Sequence, residues 1–332
     1  MKIIDLFSGI GGFSLGFKRA GYHFTEHYFS EIDKHAIANY KYNFPNAKYI
    51  GDITSIHGGD FADIDIITFG SPCQDFSLAG KRKGLKGGKS SLIEYAITLV
   101  ARVRPSVFIW ENVKGAFSSN SGADFWAIIQ AFANIGDYRL EWQLLNTSWV
   151  LPQNRERIYL IGHLAGRSEP GVFPIEENDF SFTKKKKYQF RPELSGTLKA
   201  NGNMNTDDTY IIPRKAKALT GGGHSGGLHS DMTIIKQLAR GKNKGADLTI
   251  CPTISSNAFQ ENNLLDGIRR LTEIECERLQ GFSDNWTQYG NYKNTIKRIS
   301  RTRRYKLIGN AVTVDIVELI VKRLKLIQKD EK

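Results

Sequence analysis

Lys2-Ile3-Ile4-Asp5-Leu6-Phe7-Ser8-Gly9-Ile10-Gly11-Gly12-Phe13 is the stretch from which the fold is read. The apolar run up to Phe7 has the make-up of a buried strand. Ser8 to Gly12 is a glycine turn, and residues 13–20 read as a helix closed by Gly21. Ser14 stands where a G-x-G-x-x-G turn would have its third glycine, so the turn alone is a weak signal. The next predicted strand, residues 27–31, ends on Glu31, 20 residues beyond Gly11. That is where a carboxylate takes ribose hydroxyls in nucleotide-type α/β sites, so the pair points to an adenosine-containing cofactor.

The alternation continues outward. Residues 48–52, 64–69, 107–111, 142–145 and 157–161 read as further strands, and residues 34–42, 91–102 and 125–132 as helices. Strands and helices at this spacing predict an open, mostly parallel α/β sheet. Such sheets bind ligands beyond the carboxyl ends of their strands. Asp5, Glu31, Asp52, a turn at Gly70-Ser71-Pro72-Cys73-Gln74-Asp75-Phe76-Ser77 and Glu111 all fall at predicted strand ends. Asp52 suits an adenine amino group, and equally a helix N-cap. After about Gly166 the composition turns to Gly, Asn, Ser, Thr and Lys, with short strand-like runs. We expect a first domain over residues 1–166, a small β-rich domain over 167–267, and helices over 268–332 that return to the first. Within that last part, helices are expected at 271–279 and 312–327.

The chain has 332 residues and a formal net charge of +12. Positive charge clusters at residues 81–89, at 184–187 and between Lys293 and Lys306, which suits a polyanionic partner. No apolar run approaches the ~20 residues of a membrane span, and Met1-Lys2 leads straight into an apolar strand rather than a signal peptide. Three cysteines, none in a C-x-x-C, exclude a disulfide framework or zinc site and point to a reducing cytoplasm.

Three further features carry chemistry. Cys73 follows a proline on a turn at a strand end, where a nucleophile is both rigidly held and reachable. Glu111 closes an apolar strand just before Asn112-Val113, a position suited to holding or donating a proton. In Gln153-Asn154-Arg155-Glu156-Arg157, alternation puts Arg155 and Arg157 on one face, where two guanidiniums can orient a carbonyl or carboxylate.

These motifs occur in the order of one family. The Asp5–Phe13 stretch, Gly70-Ser71-Pro72-Cys73-Gln74, Glu111-Asn112-Val113, Gln153-Asn154-Arg155-Glu156-Arg157, the helix Glu275-Cys276-Glu277-Arg278-Leu279-Gln280-Gly281-Phe282 and Gly309-Asn310-Ala311-Val312 resemble the cytosine-C5 DNA methyltransferases of bacteria and phages. The resemblance covers residues 1–165 and 268–327, and the middle matches only in its placement as a target-recognition domain. It implies a Rossmann-like sheet and transfer of a methyl group from S-adenosylmethionine to C5 of a cytosine flipped out of duplex DNA. It implies Cys73 as the nucleophile that adds to C6, Glu111 on the N3 and amino edge, Arg155 on O2, and Arg157 supporting the site from behind. For the cofactor it implies Asp5, Phe7, Gly9, Ile10, Gly11 and Gly12 at the methionine part. Glu31 falls on the ribose, Ile32 against adenine, and Asp52 with Ile53 at the adenine amino group. Pro72, Leu92, Asn310, Ala311 and Val312 complete the pocket, with no metal. Ser77, Lys81, Arg82, Lys83 and Lys89 would meet DNA from a closing loop. Thr197-Leu198 and Thr253-Ile254 both resemble the Thr-Leu pair of such recognition domains. Lys89 stands where many relatives have arginine, and Ile32 replaces a bulkier aromatic. The partners implied are double-stranded DNA and a separately encoded restriction endonuclease, with a monomeric enzyme in the cytoplasm. Two alternatives stay open: an RNA cytosine-C5 methyltransferase, disfavoured by the basic insert and a missing Cys-Phe-Thr signature, and an inactive DNA-binding module, disfavoured by the intact Cys73, Glu111 and Arg155.

Overall fold

The computed structural model describes residues 1–71, 92–117, 122–177, 179 and 269–327, with three short strands between 235 and 265. The first half runs β1 (Lys2–Leu6), α1 (Gly12–Arg19), β2 (Glu26–Ser30), α2 (Lys34–Asn43), β3 (Lys48–Tyr49), β4 (Ile66–Gly70), α3 (Leu92–Val103), β5 (Val107–Val113), α4 (Ala123–Ala133), β6 (Tyr138–Asn146) and β7 (Glu156–Leu164). It continues with β8 (Ser168–Glu169), β9 (Ile235–Gln237), β10 (Ala246–Leu248), β11 (Asn263–Leu265), β12 (Arg269–Arg270), α5 (Glu273–Leu279), β13 (Tyr289–Tyr292), β14 (Thr295–Arg298), α6 (Arg301–Asn310), α7 (Val314–Lys322) and β15 (Lys325–Leu326).

The central sheet has the order β3-β2-β1-β4-β5-β7-β6. β1 to β5 are mutually parallel, and β7 runs antiparallel between β5 and β6. Chain order reverses between β1 and β4, and a crevice opens beyond the carboxyl ends at such a switch point. Strand alternation divides the core into two layers. Ile4, Ile67, Phe108 and Trp110 pack under α3 and α4 with Val100 and Phe132. Ile3, Ile66, Val107 and Ile109 face the other way, towards Phe17 of α1 and Val317, Ile320 and Val321 of α7. Burying each of these side chains stabilises the fold by roughly 2 kcal/mol. α1 and α7 approach closely because Gly16 has no side chain: a Cβ there would sit 2.4 Å from Val317 Cγ1.

Three sequence expectations change. The last helix does not run to residue 327. It stops at Lys322, and β15 pairs antiparallel with β8. A short apolar run such as residues 324–327 fits helix or strand equally, and here the edge of β8 supplied the backbone partners. Second, residues just past Gly166 pack against the central sheet. Glu141 of β6 accepts N–H bonds from Gly171, Val172 and Phe173, and Gln143 exchanges two 2.8 Å bonds with Ile175. Val172 and Ile175 are fully buried in the α1/α7 layer. Third, residues 289–310 form the β13–β14 hairpin and α6. Asn39 of α2 holds the hairpin by donating to the Trp286 and Tyr289 carbonyls. α6 is locked to α5 by the buried Arg304–Glu277 pair at 2.9 Å, whose carboxylate also accepts from the Asn285 and Thr287 amides. Removing either partner would strand the other charge in the interior. In the middle region, the described strands form an antiparallel sheet of order β10-β9-β11-β12.

Candidate active site

The turn after β1 is built by its backbone. Phe7 adopts φ 48°, a left-handed conformation uncommon for a bulky residue and typical of functional turns. The Ser8 amide donates to Ser30 O at 3.1 Å and the Gly11 amide to Ser8 O at 2.9 Å. Gly11 has φ 84°, and a Cβ there would lie 2.4 Å from the Phe44 ring, so the turn admits only glycine. Glu31 is fixed from three sides: Oε2 accepts from Gly9 N at 2.9 Å, and Oε1 from the amides of Ile32 and Asp33. Each carboxylate oxygen has two lone pairs, so acceptor capacity remains for a ligand hydroxyl.

A cleft of about 830 Å³ runs from this turn across the carboxyl edge of the sheet. Phe7, Gly9, Glu31, Ile32, Asp52, Ile53, Leu92 and Asn310 line one end, and Gly70, Ser71, Glu111, Arg155 and Arg157 the other. At the second end, Gly70 and Glu111 are register partners of adjacent strands. Ser71, the last described residue before the Pro72-Cys73 turn, is pinned by β5. Trp110 Nε1 donates to its hydroxyl at 3.0 Å, and Asn112 Nδ2 to its carbonyl at 3.2 Å. Arg157 Nε meets Glu111 Oε1 at 3.1 Å, both side chains mostly sheltered from solvent. Arg155, also on the cleft wall, is 4% exposed and donates to the carbonyls of Ala311, at 2.8 Å, and Gly309. Gln153, fully buried, donates to Leu279 O of α5 at 2.7 Å and anchors the run that carries both arginines.

A family profile, C-5 cytosine-specific DNA methylase, matches residues 1–326. The chain belongs to this family. The match takes in the middle region that motifs alone left uncovered. The methylase is 30% identical to the type II methyltransferase M.Bsp6I of Bacillus sp. (strain RFL6), over 98% of each chain. It is 32% identical to the type II methyltransferase M.NgoBI of Neisseria gonorrhoeae, over 96% of this chain and 90% of that one. In fold it is similar to the Dnmt2 methyltransferase of S. pombe, with a TM-score of 0.61, 19% identity and 97% of each chain covered. The methylase is thus a DNA (cytosine-5-)-methyltransferase with the Rossmann-like sheet of such enzymes.

The residues at the Glu31 end fit the cofactor this family uses. Ile32 is 73% exposed on the cleft rim, an uncovered apolar surface on which a flat adenine can lie. The Ser8 hydroxyl is buried in the glycine turn with no hydrogen-bond partner among the described residues. Asp52 lines the cleft and also caps the following turn by accepting from Thr54 N at 3.1 Å. The sequence missed Ser30, Asp33 and Lys306 at this end. Burial pushes the Asp33 carboxyl up, but the amides of His35 and Ala36 and the charge of Lys306, 3.4 Å away, hold it below its ordinary value. Its position before Lys34-His35-Ala36 is an N-cap signature that could have flagged it.

Several of the expected cofactor residues are buried beside the cleft rather than on its surface. Ile10 is buried with Phe282 and Leu307 in a satellite core, Gly12 packs on Val312, and Ala311 and Val312 are buried behind the cleft. Gly11 serves the turn's shape. Asp5 is fully buried and points away from the cleft, accepting from Ser14 Oγ, Tyr40 Oη and Thr68 Oγ1 at 3.0 Å each. Strand alternation sent it inside, where three hydroxyls replace water. Of the two arginines, both on the cleft wall, Arg157 meets Glu111 and Arg155 donates to the Gly309 and Ala311 carbonyls. Pro72, Cys73, Ser77, Lys81, Arg82, Lys83, Lys89, Thr197 and Thr253 lie outside the described residues.

The Asp5 network gives a pH prediction. Burial raises the Asp5 pKa from 3.8 to about 7, against the pull of the Thr68, Tyr40 and Ser14 hydroxyls. The folded state therefore holds a proton that the unfolded state releases. That contribution is complete below pH ~4 and is lost as pH rises through about 7. Asp5→Asn keeps a neutral side chain and removes this slope. Urea unfolding at pH 5 and pH 8 should show wild type losing roughly 3 kcal/mol more than Asp5→Asn over that interval. Parallel pH profiles for the two proteins would exclude it.

Proposed function

We propose that the methylase binds S-adenosylmethionine at the Glu31 end of the cleft and a cytosine flipped out of duplex DNA at the Glu111 end. The Glu111–Arg157 pair, standing beside Ser71 in the same cleft as Glu31, is the observation that carries this reading. Cys73 follows Ser71 by two residues, and in this reading it supplies the nucleophile for the base held at Glu111. The ring carbon C5 of cytosine is a poor nucleophile. Addition of the Cys73 thiolate to C6 forms an S–C6 bond and shifts the ring electrons towards C5 and N3. Glu111 holds a proton at N3 and receives the amino edge, which neutralises that charge. Arg157 donates to O2 and keeps the Glu111 carboxyl oriented. Arg155, tied to the Gly309 and Ala311 carbonyls at the end of α6, fixes the strand start from which Arg157 projects. The cofactor supplies an electrophilic methyl group on its sulfonium. Once C5 carries the methyl, loss of the C5 proton to water restores the C5–C6 double bond and expels the thiolate.

The region 167–267 would then read the sequence, and the enzyme would act as a cytoplasmic monomer, with any cognate endonuclease encoded separately. Among the described residues no helix is long and apolar enough to cross a membrane. Bisulfite sequencing of DNA from cells expressing the methylase tests the reading, with an in vitro arm offering labelled cofactor to duplex DNA and to tRNA. Protected cytosines within one short sequence, and label in DNA alone, are expected. Label confined to tRNA, or none in either, would overturn it.

A further inference from the structure

We propose that the β13–β14 hairpin and the first turn of α6 form a second DNA-contact surface, which grips backbone phosphates of the duplex flanking the target. The proposal rests on the reading that the substrate is duplex DNA. Between Asp284 and Asp315 the chain has no acidic residue but seven basic ones: Lys293, Lys297, Arg298, Arg301, Arg303, Arg304 and Lys306. Three have acidic partners: Arg301 with Glu273, Arg304 with Glu277 and Lys306 with Asp33. Lys293, Lys297, Arg298 and Arg303 form no ion pair among the described residues. A solubilising surface mixes both signs of charge, whereas a single-sign stretch is the electrostatic footprint of a polyanion site.

The geometry presents these charges outward. All four residues of β14 are exposed, including Ile296 at 62%, and among the described residues only β13 pairs with the strand. The surface is continuous with the cleft along one helix face. Arg303, Lys306, Leu307 and Asn310 recur at helical spacing on α6, and the last three line the cleft. Arg303 stands near that rim. His35 at the start of α2 is held below its ordinary pKa by burial, and, against the pull of Asp33, by the charges of Arg303, Lys34 and Lys306. A duplex engaged at the cleft therefore meets an unpaired cationic strip where its backbone leaves the site. Phosphate contacts of this kind set affinity and register without reading sequence.

The test is the triple variant Lys297→Ala, Arg298→Ala, Arg303→Ala, none of which lies in the cleft. Its affinity for duplexes of about 12 and 30 base pairs, centred on the methylated site, is measured against salt concentration. Each lost phosphate contact lowers the log–log salt slope by ~0.9, so the slope on the long duplex should fall by about 2–3. KM for the long duplex should rise ~10-fold at 0.1 M salt, with kcat, cofactor affinity and thermal midpoint unchanged and the short duplex unaffected. An unchanged slope while wild type methylates duplex DNA would overturn the proposal alone. Failure of wild type to methylate any duplex would overturn the underlying reading as well.

Discussion

Cys73→Ala is expected to reduce methyl transfer by at least ~10⁴-fold and to leave S-adenosylmethionine affinity within about twofold of wild type. The thiolate creates the nucleophilic C5, so its loss removes the chemistry rather than slowing one of its steps. The proposed cofactor end, by contrast, is lined by Glu31, Ile32 and Asp52 at the other end of the cleft. The wall that presents the cysteine is built independently of it: Trp110 and Asn112 hold Ser71 from β5. Cys73→Ser should be as inactive as the alanine variant, because a hydroxyl is far less ionised than a thiol near neutral pH. Single-turnover label transfer and calorimetric titration with S-adenosylhomocysteine measure the two quantities separately. Turnover by either variant at more than about a tenth of the wild-type rate would remove Cys73 from the mechanism, and a matched loss of cofactor binding would mean that the cleft itself had collapsed.

The second large effect belongs to the Glu111–Arg157 pair. Glu111→Gln keeps the shape and the hydrogen-bonding edge but cannot hold the proton at N3, and kcat should fall by ~10²–10⁴. Arg157→Lys keeps the charge but loses the planar fork that contacts Glu111 and a base oxygen together. It should lower kcat by ~10²-fold. Because each side chain orients the other at 3.1 Å, the double variant should be little worse than Glu111→Gln alone. Full additivity of the two effects would show that the residues act separately. Arg155→Lys distinguishes the two arginines. Its guanidinium is committed to the Gly309 and Ala311 carbonyls, so it should lower thermal stability as well as kcat. A purely kinetic effect there would restore the roles expected from sequence.

Much of this site was legible in the chain because its determinants are local. Strand, glycine turn and helix follow from a few adjacent residues. Glu31, Ile32 and Glu111 fall at strand ends wherever the apolar runs stop, and the sheet then brings those ends to one edge. Asp5 misled for an equally local reason. It too ends a strand, but the inner face claims it, and Ser14, Tyr40 and Thr68 converge on it from α1, α2 and β4. Lys306 and Asp33 were out of reach because their meeting joins two helices about 270 residues apart in the chain. The hairpin and α6 were hidden by composition. Their charged, exposed residues carry little hydrophobic period, and tertiary contacts from Asn39 and Glu277 supply the order that local pattern lacks.

The sequence by itself determined the α/β alternation, the order of motifs and the chemical types at the sheet's edge, since each depends on runs of neighbouring residues and their period. Only the tertiary structure decided which arginine meets Glu111. Alternation treats Arg155 and Arg157 alike, two positions apart on one extended run. The Gly309 and Ala311 carbonyls, arriving from more than 150 residues away, capture the first guanidinium, and Glu111 on the neighbouring strand receives the second. Buried carbonyls and a sheltered carboxylate each require a donor, and the fold assigns the two donors by position.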